Sequence, residues 1–499
     1  MRKLAIVISL CAVAAAGSPV ANATPAFPGL LRMRAVYDAL HARAVERGEH
    51  PRPAVPLPAR PVAPAQPAAF SNVRGVQQVS EDLLPSPPGA EDDTQAEPDI
   101  AVDPNDPSHV VAVFQQGRFF DIASVDPGFA TSQDGGRTWT TGNLPGLTQA
   151  VGGPFERASD PVVAFGPDGA VYASTIALNE LANFRTAVEV QRSDDGGLTW
   201  NDPVTVRLDT NPSAFNDKEW ISVDTTPTSP HFGRIYVAWD RVFGFGQPPK
   251  IAFSDDRGET WSPMISVSDT TNALGTNPLV RPDGTVTVFY LDVFTFDMLA
   301  QTSTDGGLTF GPPVTIDSCQ AVDPPDQRDG GCIPTGAVDP VTGTLYAGWT
   351  DARFRTDGLD DVVVSSSTDA GASWGPLTKV NPDTSGSGME HMTTALAANN
   401  HFVHVAYLTR RQEGDGFVKQ VRERYSVSVD GGATFGGEVI VGPAIDLTWA
   451  ANAGGLYFLG DYMGIAASRS AAHLVWCRAS KPPAPATYHQ TAWSGTVTK

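Results

Sequence analysis

Apolar residues along this chain come in short runs of four or five, each bounded by turn-forming residues. Val110-Val111-Ala112-Val113-Phe114, Ile235-Tyr236-Val237-Ala238-Trp239 and Leu345-Tyr346-Ala347-Gly348-Trp349 are three of them. Runs this short, dense in β-branched and aromatic side chains, predict buried strands rather than helices. Each is preceded by another short apolar run across a turn rich in Pro, Asp, Asn or Gly. The paired runs recur seven times, the first members starting near residues 98, 161, 220, 278, 334, 393 and 463.

Interleaved with the pairs is a polar octamer, Ser-x-Asp-x-Gly-x-Thr/Ser-aromatic. It occurs six times, centred on Asp134, Asp195, Asp256, Asp305, Asp369 and Asp430. The Asp is suited to accept hydrogen bonds from the backbone N–H groups of a tight turn, and the Gly two residues later supplies positive φ. The aromatic that follows offers a large apolar surface to wedge between sheets. A turn repeated in this way is foremost a device for building a fold.

These octamers resemble the Asp-box, or BNR-repeat, family, whose best-known members are the sialidases. The resemblance implies an all-β fold, a β-propeller of four-stranded antiparallel blades. Each unit reads as strand one, turn, strand two, loop, strand three, Asp box, strand four. The seventh stops after its third strand, and residues 73–80 resemble the outer strands of the other units. Seven blades closed by this N-terminal strand are therefore preferred, because closure removes exposed sheet edges. Six blades, as in the sialidases, are the alternative.

The chain has 499 residues, with Gly 48, Pro 42 and 41% hydrophobic residues, which suits one large turn-dense domain. Its net charge of -21 argues against nucleic acid and anionic membranes as partners. Residues 1–23 read as a signal peptide, with Arg2 and Lys3, an apolar run and an Ala21-Asn22-Ala23 cleavage site, so the expected location is secreted, extracellular or periplasmic. No later apolar run is long enough to insert in a membrane. Residues 24–69 form a leader, with a short helix over 30–47 and a Pro/Ala-rich linker, and residues 70–499 form the propeller. Cys319 and Cys332 flank a loop of Asp, Pro and Gly and are expected to form a disulfide in an oxidising compartment. Zinc spacing is absent, and no cofactor is expected; the Asp-rich loops 323–329 and 357–361 have the oxygen ligands calcium takes but no EF-hand pattern.

Candidate chemistry lies at the starts of the first strands. Aligned, they give a column of Glu97, Asp160, Lys218, Asn277, Ile333, His391 and Tyr462, with Asp217, Glu219, Glu390 and Asp461 beside it. Such a column serves either a site at the channel mouth or hydrogen bonding between blades. Arg118, Arg241, Arg353 and Arg410 each follow a second strand, and Arg157 precedes unit two. Guanidinium groups bind carboxylates in bidentate fashion, whether those of an acidic sugar or of neighbouring aspartates.

The sialidase resemblance implies a Tyr nucleophile assisted by a Glu, an Asp acid/base and arginines on the substrate carboxylate. By position these would be Tyr462, Glu219 or Glu390, Asp160 or Asp217, and Arg118, Arg157, Arg353 or Arg410, with His391 a further base. The family's Arg-Ile-Pro signature is absent. Three functions follow from this reading: a secreted hydrolase of terminal sugars, with an acidic sugar preferred; a non-catalytic propeller that binds glycans or proteins at the cell surface; and a polysaccharide lyase. The expected partner is a glycan or polysaccharide.

Overall fold

A computed structural model describes residues 28–49, 53–57, 70–180, 183–414, 416–484 and 486–499. The signal segment and most of the Pro/Ala tract lie outside the described residues. The body is all-β, with several four-stranded antiparallel sheets of the kind that make propeller blades. Ala214–Val223, Ile235–Phe243, Pro249–Ser254 and Ile265–Ser266 form one such unit, in chain order across the sheet. Ala273–Val280, Val286–Asp292, Asp297–Ser303 and Val314–Ser318 form the next. The last sheet combines Gly464–Ala467, Ala471–Ala479 and Gln490–Thr498 with Asn72–Gln78, whose Asn72 stands opposite Thr498.

The apolar runs bury both faces, so the core is divided among the gaps between successive units. Val113 and Phe129 of the first unit pack with Val171 and Trp200 of the second. Val162 and Val188 of the second pack with Val237 and Trp239 of the third, and further clusters join the third to the fourth and the fourth to the fifth. Tyr346 and Val364 meet Val403 and Tyr407, and Tyr425 meets Trp476. Ile100 and Phe114 of the first unit pack with Val475 and Ala492 of the last.

Each octamer is a closed hydrogen-bonded unit. The Thr138 amide donates to Asp134 Oδ1 at 2.9 Å and the Thr138 hydroxyl to Oδ2 at 2.7 Å. Ser132 does as much: its hydroxyl donates to Asp134 at 2.9 Å and accepts the Gly136 amide at 2.9 Å. The glycine in the position of Gly136 has φ between 82° and 88° in all six copies, where any side chain would be strained. Trp200 closes its turn against Phe129 of the neighbouring unit, with ring centroids 5.9 Å apart.

The leader helix spans Pro28–Glu49, slightly beyond the stretch its composition predicts. It lies against the body at one end of the first strands, touching residues from several units. Cys319 and Cys332 are joined in a disulfide, and Cys477 is a buried free thiol. No described helix is long and apolar enough to cross a membrane.

Candidate functional site

The site begins with a fault in the first strands. In the first three units the register of strands one and two breaks between Ala96 and Asp99, Ser159 and Val162, and Asp217 and Trp220. Inside each break one non-glycine residue has a left-handed backbone: Glu97 at φ 51°, Asp160 at 54° and Lys218 at 45°. A bulge of this type re-aims its side chain and costs backbone strain, a combination that concentrates at functional sites. Here it turns three charged side chains toward one point.

Lys218 Nζ is the centre. It lies 3.1 Å from Glu97 Oε1, 3.5 Å from Asp160 Oδ2 and 3.0 Å from Asp461 Oδ2, all four side chains being buried. Asp461 is clamped from the other side by Arg328, whose Nε donates to Oδ1 at 3.0 Å and whose Nη2 reaches Oδ2. The Gln115 side-chain amide donates to Glu97 and to Ser159 Oγ, and Ser159 donates to Asp160 Oδ1 at 2.9 Å. Arg118 Nη1 donates to Gln115 Oε1 at 3.0 Å, and its guanidinium lies over Phe458. Among the described residues Arg118 has no carboxylate partner within ion-pair distance.

These contacts split the carboxyls. Burial, with Asp160 adding to it, raises Glu97 to about 8 against the opposing pull of Lys218. Burial likewise raises Asp217 to about 6, opposed by Lys218 and Arg328. Burial also pushes Asp461 upward, but Arg328 and then Lys218 outweigh it and hold that carboxyl at about 2. At neutral pH the cluster thus contains a protonated Glu97 and ionised Asp217 and Asp461. Carboxyls held apart in this way are the arrangement that acid/base chemistry at one pH requires. Glu97, Asp160, Asp217 and Asp461 line a cleft of about 400 Å³, together with Arg118 and Arg328.

The other sequence-predicted residues fall elsewhere or serve differently. Tyr462 adjoins the cluster, with Lys218 Nζ 5.2 Å from its ring centroid, but its hydroxyl donates to the Pro161 carbonyl at 3.0 Å. Burial, then Glu97, drives its ionisation well above the usual tyrosine range. Glu219 is buried with neither carboxylate oxygen hydrogen-bonded, and burial followed by Asp160 raises it well above normal. Glu390 and His391 form a separate group: Glu390 accepts the Asp360 amide at 3.0 Å, and His391 contacts the Asp360 carbonyl at 2.6 Å and Asp383 at 3.0 Å. Asn277 is buried in the fourth unit with its Oδ1 unpartnered.

The structural column also differs in register from the one read along the sequence. In the fourth and sixth units the left-handed bulge residues are Gly275 and Thr393, each two positions from Asn277 and His391. Four of the five arginines are ion-paired within the body. Arg157 meets Asp121 at 2.8 Å, Arg241 meets Asp209 at 2.8 Å, Arg353 meets Asp317 at 2.7 Å, and Arg410 meets Asp326 at 2.7 Å.

Arg328 and Gln115 escaped the sequence reading. Gln115 carried no signal, being one polar residue in a strand. Arg328 did carry one: it is the sole basic residue between Cys319 and Cys332, in a loop otherwise read for its aspartates. No group of three or more His, Cys, Asp or Glu among the described residues is arranged to hold a metal ion.

No protein-family model and no curated protein sequence matches the chain. Solved structures with a similar course of the chain include a Hadza microbial sialidase, at 17% identity and TM-score 0.45, covering 64% of this chain and 64% of that one. An alpha-L-arabinanase from Penicillium chrysogenum, complexed with arabinobiose, has 14% identity and TM-score 0.45 and covers 70% of this chain and 94% of its own. An ulvan lyase, a polysaccharide lyase, has 12% identity and TM-score 0.47, covering 81% and 94%. The match thus spans less than two thirds of that sialidase's length. At such identities the likeness carries nothing about the reaction.

Proposed function

We propose that the chain is an exported, sialidase-like glycoside hydrolase acting on terminal acidic sugars, its units closed into a seven-bladed Asp-box propeller. The closed ring is supported by the clusters that join each unit to the next and the first to the last. Export is supported by the signal-like segment and by the Cys319–Cys332 disulfide, which an oxidising compartment maintains.

The observation that carries the reaction is the gathering of Glu97, Asp160 and Asp461 around Lys218, beside Asp217, in one cleft. Glu97, whose carboxyl burial raises to about 8, is the group that gives its proton to a leaving-group oxygen in this reading. Asp217, ionised and with Oδ2 free of hydrogen bonds, is the carboxylate that activates water or attacks the sugar. Lys218 and Arg328 keep Asp461 ionised, and Asp461 in turn offsets the cations that would otherwise strip the proton from Glu97. Arg118, without a carboxylate of its own, is the guanidinium left for an acidic sugar. Tyr462 forms the wall behind Lys218.

A second reading, a glycan-binding propeller without turnover, is favoured by the ion pairing of Arg157, Arg241, Arg353 and Arg410. Incubation with a panel of sialylated and uronic-acid glycans separates the two. Released sugar that disappears in Glu97→Gln and persists in Tyr462→Phe supports the carboxyl mechanism. Binding without release, in wild type and variants alike, supports the second reading.

A further inference from the structure

The helix Pro28–Glu49 crosses the mouth of the cleft. Leu30, Met33, Tyr37, His41, Ala44 and Arg47 recur at intervals of three and four residues and so share one face. The two ends of that face are anchored. Leu30 and Met33 are buried with Phe184, Phe215 and Val242, the Gly29 amide donates to the Pro212 carbonyl at 3.0 Å, and at the far end Arg47 donates to the Ala321 carbonyl at 2.5 Å. The middle stands over the reactive groups: Tyr37 and His41 line the same cleft as Glu97, Asp217 and Arg328. The Arg328 guanidinium lies 4.2 Å from the centre of the Tyr37 ring, and His41 contacts Asp323 at 2.8 Å.

Two features distinguish an occupant from a permanent wall. The Tyr37 hydroxyl is buried among charged groups with no hydrogen-bond partner, so lifting the helix breaks no hydrogen bond of that hydroxyl and returns it to water. Arg34 pairs with Asp121 and Glu180 at 3.2 Å each, but Arg157 already pairs with both. Removing Arg34 therefore leaves neither carboxylate without a cation. Of the contacts between the helix and carboxylates of the body among the described residues, the His41–Asp323 pair is the one that lifting the helix would break without a replacement.

We propose that this helix is an autoinhibitory occupant of the cleft, which must lift before an external sugar can reach Glu97 and Asp217; the proposal rests on the cleft being the reaction site. Its seat is apolar at one end and polar over the reactive groups, so the helix screens the charged floor without neutralising it. Sugar and helix compete for one space.

The test uses the full chain and a thiol reporter that needs no activity. Ala453 lines the cleft and is buried, so Ala453→Cys in a Cys11→Ser background reports access through its rate of modification by a small maleimide, Cys477 being buried. Leu30→Asp/Met33→Asp is expected to raise that rate at least tenfold and to speed amide exchange across residues 28–49. A synthetic peptide of residues 28–49 added in excess should slow it again. Arg32 donates to the Gly244 carbonyl at 3.0 Å, so Arg32→Glu/Arg34→Glu loosens the helix while leaving the buried anchors intact; it guards against misfolding of the first variant and should raise the rate in the same direction. Unchanged labelling in both variants overturns the proposal. Faster labelling with no gain in sugar release keeps the helix as occupant and removes the assigned reaction; faster labelling with a lower KM supports both.

Discussion

Lys218 Nζ stands 3.0 Å from the Asp461 carboxylate, although one lies on Ala214–Val223 and the other just before Gly464–Ala467 of the last sheet. The same ammonium reaches Glu97 of the first unit, and Arg328 adds a second cation on Asp461. Four elements distant in sequence thus share one buried charge network, and the pH behaviour of the site follows from it.

The proposed reaction needs Asp217 ionised and Glu97 protonated. With Asp217 at about 6 and Glu97 at about 8, kcat/KM is expected to rise through pH 6, peak near 7 and fall through pH 8. The upper limb belongs to loss of the Glu97 proton, since burial raises this carboxyl above Asp217. Glu97→Gln should lower kcat/KM by on the order of 10²–10⁴, the usual contribution of a general acid. A pH profile whose upper limb is unchanged in Glu97→Asp would assign the acid to another group.

Replacing Lys218 by Met tests the network through stability. The substitution removes the cation that Glu97, Asp160 and Asp461 share and leaves Asp461 to Arg328 alone. Breaking one partner out of a buried ion cluster costs about 3–5 kcal/mol. Denaturant unfolding should show a loss of that size at pH 7, shrinking toward pH 5 as Asp217 takes up its proton. A loss below about 1 kcal/mol would mean that water replaces the ammonium.

The Asp boxes predict a different titration at the opposite face of the units. Hydrogen bonds from the Thr138 backbone and then its hydroxyl hold Asp134 at about 2, against an ordinary 3.8. The Ser373 hydroxyl and then its amide do the same for Asp369. A depressed folded-state value means that the ionised form is favoured by folding, so the contribution is complete above pH 4 and is lost as pH falls toward 2. The melting temperature should drop steeply over that window, and Asp134→Asn/Asp369→Asn should melt lower at pH 7 while losing part of the slope. An equal slope in that variant would place the acid transition in other carboxyls.

The strands and turns were legible because each is specified locally: five apolar residues decide a buried strand, and one octamer closes its own hydrogen bonds. The column of first-strand residues was legible in outline, since Glu97, Asp160 and Lys218 do meet. Its register in the fourth and sixth units was not, because a bulge inserts a residue without any compositional mark. Whether an arginine faces a ligand or an aspartate is a matter of a few ångströms between strands, which spacing along the chain does not encode. Arg241 and Arg118 look alike in sequence, yet one is paired to Asp209 and the other lines the cleft.

The bulges allow a last prediction that separates strain kept for chemistry from strain without such a use. Thr393 occupies the bulge of the sixth unit with φ 45°, and its buried hydroxyl lacks a partner. In the fourth unit the same bulge carries Gly275 at φ 74°, where the conformation is free of side-chain strain. Relief of a left-handed β-branched residue returns about 1–3 kcal/mol, and the added freedom of glycine in the unfolded chain takes back about 0.5–1. Thr393→Gly is therefore expected to stabilise the protein by roughly 1 kcal/mol with kcat/KM unchanged, since Thr393 is not among the groups that surround Lys218. Glu97→Gly relieves the same strain at φ 51° but removes the proposed acid and a buried partner of Lys218, so turnover should be lost and the stability gain seen in Thr393→Gly should not appear. Parallel thermal melts and rate measurements on the two variants decide the matter: equal losses of activity would show that the bulges act only through the shape of the sheet.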